Sequence, residues 1–207
     1  MKKVLLLIDP QNDFCDKKGS LYVPGGEEVI PVANRLMTSN KFHCIASQDW
    51  HGADHKSFAS NSKKKIGEIF DLNGLSQVAW PDHCIANSWG SDFHKNLLTG
   101  KLATIFRKGM DKEVDSYSAF VDNGKRNKTG LGGYLKELDV KDLYIACVAT
   151  DYCVKFSVLD ALELGFKVSL ITDGCKAVNL KAGDDKAAID EMVKYGAGLT
   201  TSTELLK

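Results

Sequence analysis

The chain carries no excess of charge of either sign. Lys and Arg number 27, Asp and Glu number 27, and the formal net charge over 207 residues is zero. That balance gives no electrostatic reason to expect nucleic acid or an anionic membrane as a partner. The short basic runs Lys63–Lys65 and Lys125–Lys128 read as solvated loops. Long apolar stretches are missing as well. The N-terminal run Val4–Ile8 is too short for a signal sequence and stops at Asp9-Pro10, so it reads as a buried strand. Nothing approaches the length of a transmembrane helix. The six cysteines (Cys15, Cys44, Cys84, Cys147, Cys153 and Cys175) form no CxxC pair and no dense framework. Reduced thiols and a cytoplasmic protein are the expectation. Internal repeats and low-complexity segments are also absent.

What is present is an ordinary globular composition, 43% hydrophobic and 26% charged, enough for one α/β domain with a sizeable core. Four short, β-branched-rich apolar runs bounded by polar residues look like buried parallel strands: Val4–Ile8, His43–Ser47, Leu102–Phe106 and Leu143–Val148. A fifth, Lys167–Ile171, follows Gly165. Helical spacing occupies Glu27–Thr38, Gly130–Leu138, Val154–Leu164 and Asp184–Tyr195, the last two running into Gly165 and Gly196. Alternating strands and helices predict a three-layer α/β/α fold with a mostly parallel, Rossmann-like sheet. The stretch 51–98 breaks the rhythm and has only a weak helical signal at Ile66–Leu75. It reads as an inserted, metal-bearing loop or lid within a single domain spanning 1–207.

In open α/β sheets, ligands bind beyond the carboxyl ends of the strands. Asp9 follows the first predicted strand, Asp49 and His51 the second, Lys108 the third and Cys153 the fourth. A carboxylate, a metal-type pair, an ammonium and a thiol thus converge on one edge. Cys153 opens a predicted helix, where free N–H groups favour a thiolate and can hold an oxyanion. Asp9 could accept a thiol proton or simply cap a loop, and Lys108 could hold nearby charges in place or be solvated. Cys147, inside a strand, is expected to be plain core. Asp49-Trp-His51 places two donors on one side of an extended segment, and His83 would complete an Asp/His/His set with open positions. His55 is a candidate fourth ligand or a second partner to these rings. His51, His55 and His83 are three of only five histidines.

The motifs Asp9-Pro-Gln-Asn-Asp-Phe14, Gln48-Asp-Trp-His51, Asp54-His-Lys-Ser-Phe-Ala59, Trp80-Pro-Asp-His-Cys84, Arg107-Lys-Gly109, Asp115-Ser-Tyr-Ser-Ala-Phe120 and Val148-Ala-Thr-Asp-Tyr-Cys-Val154 occur in this order. With them the chain resembles the nicotinamidases of the isochorismatase-like hydrolase superfamily, along nearly its whole length. The resemblance implies hydrolysis of nicotinamide, and of pyrazinamide, to the acid and ammonia through a thioester. It implies a catalytic triad of Asp9, Lys108 and Cys153, and an oxyanion hole from the N–H groups of Ala149 and Cys153 beside a cis peptide before Ala149. It implies one divalent metal ion on Asp49, His51 and His83, with zinc the first expectation and iron or manganese open. Phe14, Trp80 and Tyr117 would wall an aromatic ring, although ordinary core packing is the simpler reading of any one of them. Tyr152 stands where some relatives have His. A homo-oligomer is a further implication. The rival readings are an amidase acting on carbamoyl substrates, a vinyl-ether hydrolase and a non-catalytic metal-binding protein on the same scaffold.

Overall fold

The computed structural model describes residues 2–207. The main sheet is built from six strands: β1 (Lys3–Ile8), β2 (His43–Asp49), β5 (Thr104–Lys108), β6 (Asp142–Val148), β7 (Lys167–Lys176) and β8 (Gly198–Thr200). Every pairing in it is parallel, and the order is β5-β2-β1-β6-β7-β8. The direction of winding reverses between β1 and β6, which places the crevice of a doubly wound sheet there. The strands β3 (Ile69–Leu72) and β4 (Leu75–Val78) stand apart as an antiparallel hairpin.

The alternation of side chains along β1 shows the layers directly. Val4, Leu6 and Ile8 face one core and Leu5 and Leu7 the other, all fully buried. A strand covered on both faces has no polar side, which is why β1 reads as a continuous apolar run. The first core is roofed by α4 (Leu131–Glu137), α5 (Lys155–Glu163) and α6 (Asp184–Lys194) through Leu131, Leu135, Val158, Ala161 and Met192. The second is closed by α2 (Val29–Thr38) and α7 (Ser202–Leu206) through Val29, Ile30, Ala33, Leu36 and Leu205. The remaining helices, α1 (Asn12–Cys15) and α3 (Ala59–Ser62), are single turns. No helix of the described residues is long and apolar enough to cross a membrane.

Several expectations need correction. Ile66–Leu75 is not helical: the hairpin turns at Asn73 (φ 54°) and Gly74 (φ 84°). Asn-Gly is the pair that a two-residue hairpin turn with positive φ at both positions favours. β2 and β5 each extend two residues beyond the predicted ends, so Asp49 and Lys108 are the last residues of strands. β7 runs on to Lys176, and β8 and α7 were not foreseen. Cys153 does not begin its helix. A wide turn over Thr150–Val154 precedes α5, with the N–H groups of Tyr152 and Val154 both donating to the Ala149 carbonyl. Such π-type turns recur at functional sites.

Candidate active site

The adjacent strands β5, β2, β1 and β6 bring Lys108, Asp49, Asp9 and Cys153 together at their carboxyl ends. Lys108 is the hub. Its Nζ donates to Asp49 Oδ1 at 3.0 Å and to the Ser116 carbonyl at 2.8 Å, and lies 3.5 Å from Cys153 Sγ. It also sits 3.0 Å from Asp9 Oδ2, an ion pair without the alignment of a hydrogen bond. The Lys108 and Asp9 side chains are wholly buried. An ammonium has three protons to offer, so these four acceptors compete for it.

Burial sets the charge states. It raises Asp9 above the usual carboxylate range, with Asp49 pushing the same way and Lys108 and Ser47 opposing. It also pushes the Cys153 thiol well up, outweighing the nearby ammonium. Desolvation thus opposes the thiolate that Lys108 favours. For Lys108 burial works downward, but Asp49 and Asp9 hold its pKa well above the ordinary value. For Asp49 burial works upward and is overcome by His51 and Lys108, leaving it well below its usual range.

The predicted metal donors also converge. His51 Nδ1 lies 2.8 Å from the Gly109 carbonyl and His83 Nδ1 2.8 Å from that of Pro81. A carbonyl only accepts, so each ring carries a proton on Nδ1, and when the ring is neutral its Nε2 presents a lone pair. Those Nε2 atoms lie 3.1 and 3.6 Å from Asp49 Oδ2. His51 Nε2 is buried without a hydrogen-bond partner. Donor atoms that approach without bonding each other are arranged around a common point, and Asp49, His51 and His83 fit a divalent ion there. Phe58 packs against all three histidine rings, His51, His55 and His83, at 5.4 to 5.6 Å, giving the cluster a dry floor.

His55 is wired differently. The Ser57 N–H donates to its Nδ1 at 3.2 Å, so the neutral ring carries its proton on the unpartnered Nε2. In that form it offers a donor, unlike His51 and His83. With His51 and Asp115 it makes a second, overlapping set of potential ligands.

A narrow cleft reaches this centre. Phe14, Trp80, Tyr117, Ala149, Cys153, Asp49 and His83 all line it, so the predicted walls, oxyanion residues, nucleophile and two metal donors share one space. The Val148–Ala149 peptide is cis. Trp80 meets Tyr152 edge-on at 4.9 Å, and Tyr117 lies 5.4 Å from Tyr152. Leu21, Val23, Asp115 and Val178 also line the cleft.

Some residues of the site escaped sequence reasoning. Gln77, from the inserted hairpin, donates to Asp115 Oδ2 at 2.8 Å and to Tyr117 Oη at 3.1 Å, while Trp80 Nε1 donates to the same hydroxyl. Asp13 joins two loops by accepting from the N–H groups of Cys84 and Ser20. Gln11 grips Asp49 through both its N–H and its carbonyl. The Asp9–Phe14 motif held two of these, but nothing in a linear pattern identifies their partners.

A thiol, a carboxylate and an ammonium thus stand beside histidine donors at the switch point of a doubly wound sheet. The isochorismatase domain family matches residues 3–204, and the chain belongs to that family. Within it the similarity is to nicotinamidases. The Escherichia coli (strain K12) nicotinamidase is 49% identical over 202 residues, covering 96% of this chain and 94% of that one. An Acinetobacter baumanii nicotinamidase/pyrazinamidase superposes with a TM-score of 0.93 at 38% identity, covering 99% of this chain and 98% of that one. A Pyrococcus horikoshii pyrazinamidase in complex with zinc does so at 0.79 and 31% identity, covering 97% and 99%.

Proposed function

We propose that the protein is a metal-dependent cysteine amidohydrolase converting nicotinamide and water to nicotinate and ammonia, with pyrazinamide as a second substrate. The observation that carries this reading is Lys108 Nζ within 3.0 Å of both Asp9 and Asp49 and 3.5 Å from Cys153 Sγ. One cation thus connects the nucleophile, its base and the metal donors.

The aromatic ring enters between Phe14, Trp80 and Tyr117, with its carboxamide directed at Cys153. Asp9, a stronger base than an ordinary carboxylate because it is buried, takes the thiol proton as sulfur attacks the carbonyl carbon. The N–H groups of Ala149 and Cys153 receive the oxyanion. Asp9 then returns the proton to the departing nitrogen, ammonia leaves and a thioester remains. Asp9, again a carboxylate, accepts a proton from the water that attacks the thioester carbon, and returns it to sulfur as the C–S bond breaks and the acid leaves. Asp49, His51 and His83 would hold the divalent ion, which when bound lowers the pKa of water and can engage the pyridine nitrogen. Zinc is our first assignment, with iron and manganese the alternatives.

Balanced charge supports a small molecule, not a nucleic acid, as the ligand, and six free cysteines suit a reducing cytoplasm. The test is ammonia release from nicotinamide, with and without chelator, for wild type and Cys153→Ala. Wild type is expected to turn over and to lose activity with chelator. The variant should fold normally and release no ammonia. Near wild-type turnover by Cys153→Ala would remove the mechanism.

A further inference from the structure

Proton transfer through Asp9 needs its carboxylate held in one orientation, and a single hydroxyl anchors it. Ser47, on β2 beside β1, is fully buried. Its Oγ donates to Asp9 Oδ1 at 2.7 Å and accepts from the Asp9 N–H at 3.2 Å. One hydroxyl therefore grips the main chain and the carboxylate of the same residue. Asp9 sits at φ 46°, a left-handed conformation that the second of these bonds secures. Oδ1 is occupied by the Ser47 hydroxyl, while Oδ2 faces the Lys108 ammonium at 3.0 Å.

We propose that Ser47 is a positioning residue for amide hydrolysis, holding Asp9 so that Oδ2 receives the Cys153 proton and returns it to the leaving nitrogen. The inference rests on the hydrolytic reading above. As sulfur bonds to the carboxamide carbon, the S–H proton moves to Oδ2 and the carbonyl π pair moves to oxygen. As the pair returns and the C–N bond breaks, the Oδ2 proton goes to nitrogen. Without the hydroxyl, the carboxylate is free to rotate about its side-chain bonds, and Oδ2 loses the position that the bond at Oδ1 fixes. The Asp9 N–H and Oδ1 also lose their partner in a dry site.

The test is a double-mutant cycle of Ser47→Ala with Asp9→Asn, with Ser47→Thr as the conservative variant. The readouts are steady-state kinetics on nicotinamide and the rate at which iodoacetamide alkylates Cys153, resolved by peptide mass. Ser47→Ala should lower kcat about 10- to 100-fold, the effect of losing a hydrogen bond to a charged group, with KM within about twofold. Alkylation should slow with it. Ser47→Thr should stay within about threefold of wild type, since it keeps the hydroxyl. In the Asp9→Asn background Ser47→Ala should leave the alkylation rate unchanged, because Ser47 acts through Asp9. Retention of kcat within about twofold by Ser47→Ala would overturn the proposal. So would an equal loss in both backgrounds, or Ser47→Thr as slow as Ser47→Ala. If Ser47→Ala yields no folded protein, Ser47→Cys, a poor donor of similar volume, takes its place in the cycle. Should wild type release no ammonia from nicotinamide, the substrate reading fails, and the alkylation cycle still decides the role of Ser47.

Discussion

Replacing Lys108 by Met removes the one cation between two buried carboxylates. The ammonium lies 3.0 Å from both Asp9 Oδ2 and Asp49 Oδ1. At that separation, and with an effective dielectric constant of about 20, each pair is worth roughly 5 kcal/mol before desolvation. Desolvation of the ammonium cancels much of this in the wild type, so the pair is no large net gain over an apolar site. Breaking it is a different matter, because Asp9 and Asp49 then stay buried without their counter-ion. The expected cost is about 3–5 kcal/mol. For a chain of 207 residues, each kcal/mol lowers Tm by roughly 2–4 °C, so the drop should be about 6–20 °C. Met fills a similar length with apolar atoms and opens no large cavity, which isolates the charge effect. The assay is thermal unfolding of chelator-treated protein, comparing wild type, Lys108→Met and Asp9→Asn/Lys108→Met. The double variant removes one of the stranded charges and should recover roughly half of the loss. A Lys108→Met protein that melts within about 2 °C of wild type would refute the claim that this ammonium compensates both carboxylates. Both variants should be inactive, so stability is the diagnostic readout.

Gly109 takes φ +69°, and a Cβ there would come within 2.4 Å of His51 Cε1. Gly109→Ala should displace the ring and weaken metal binding about 10- to 100-fold, read by competition with a chromophoric chelator; unchanged affinity would mean that the ring does not depend on this contact. Burial, helped by the neighbouring His51, lowers His55 from 6.5 to about 4. A folded pKa below the unfolded one gives stability that is present above 6.5 and lost as pH falls through about 4. Metal-free protein should therefore lose up to about 3 kcal/mol more than His55→Gln across that window, measured by urea unfolding at several pH values. Parallel pH profiles for the two proteins would show that His55 is not the group responsible.

The parts of the fold legible in the linear chain were those where burial leaves a long, uniform mark. β1, β2 and β6 lie inside the sheet, so they appear as apolar runs, while β5 is an edge strand whose residues up to Arg107 are alternately half-buried and exposed; a parallel sheet sends the carboxyl ends of all four to one edge. That is why Asp9, Asp49, Lys108 and Cys153 could be grouped before any coordinates. β8 spans three residues that are not buried and leaves no such mark. At Ile66–Leu75 the spacing of a few apolar residues suggested a helix, although Asn73-Gly74 already specified a hairpin turn. The shortest elements are decided by their turns and not by periodicity.

Residue types and order were enough to say that a thiol, a base, an ammonium and a set of metal donors meet. They could not say how these share protons, because that depends on distances and on which atoms water cannot reach. Lys108 bridging Asp9 and Asp49, Ser47 holding Oδ1, and the opposite proton placement on His51 and His55 all join residues from separate strands and loops. So does the opposition of burial and the Lys108 ammonium at Cys153. Burial raises the thiol and the ammonium lowers it, and the depth of that burial exists only once the chain has folded.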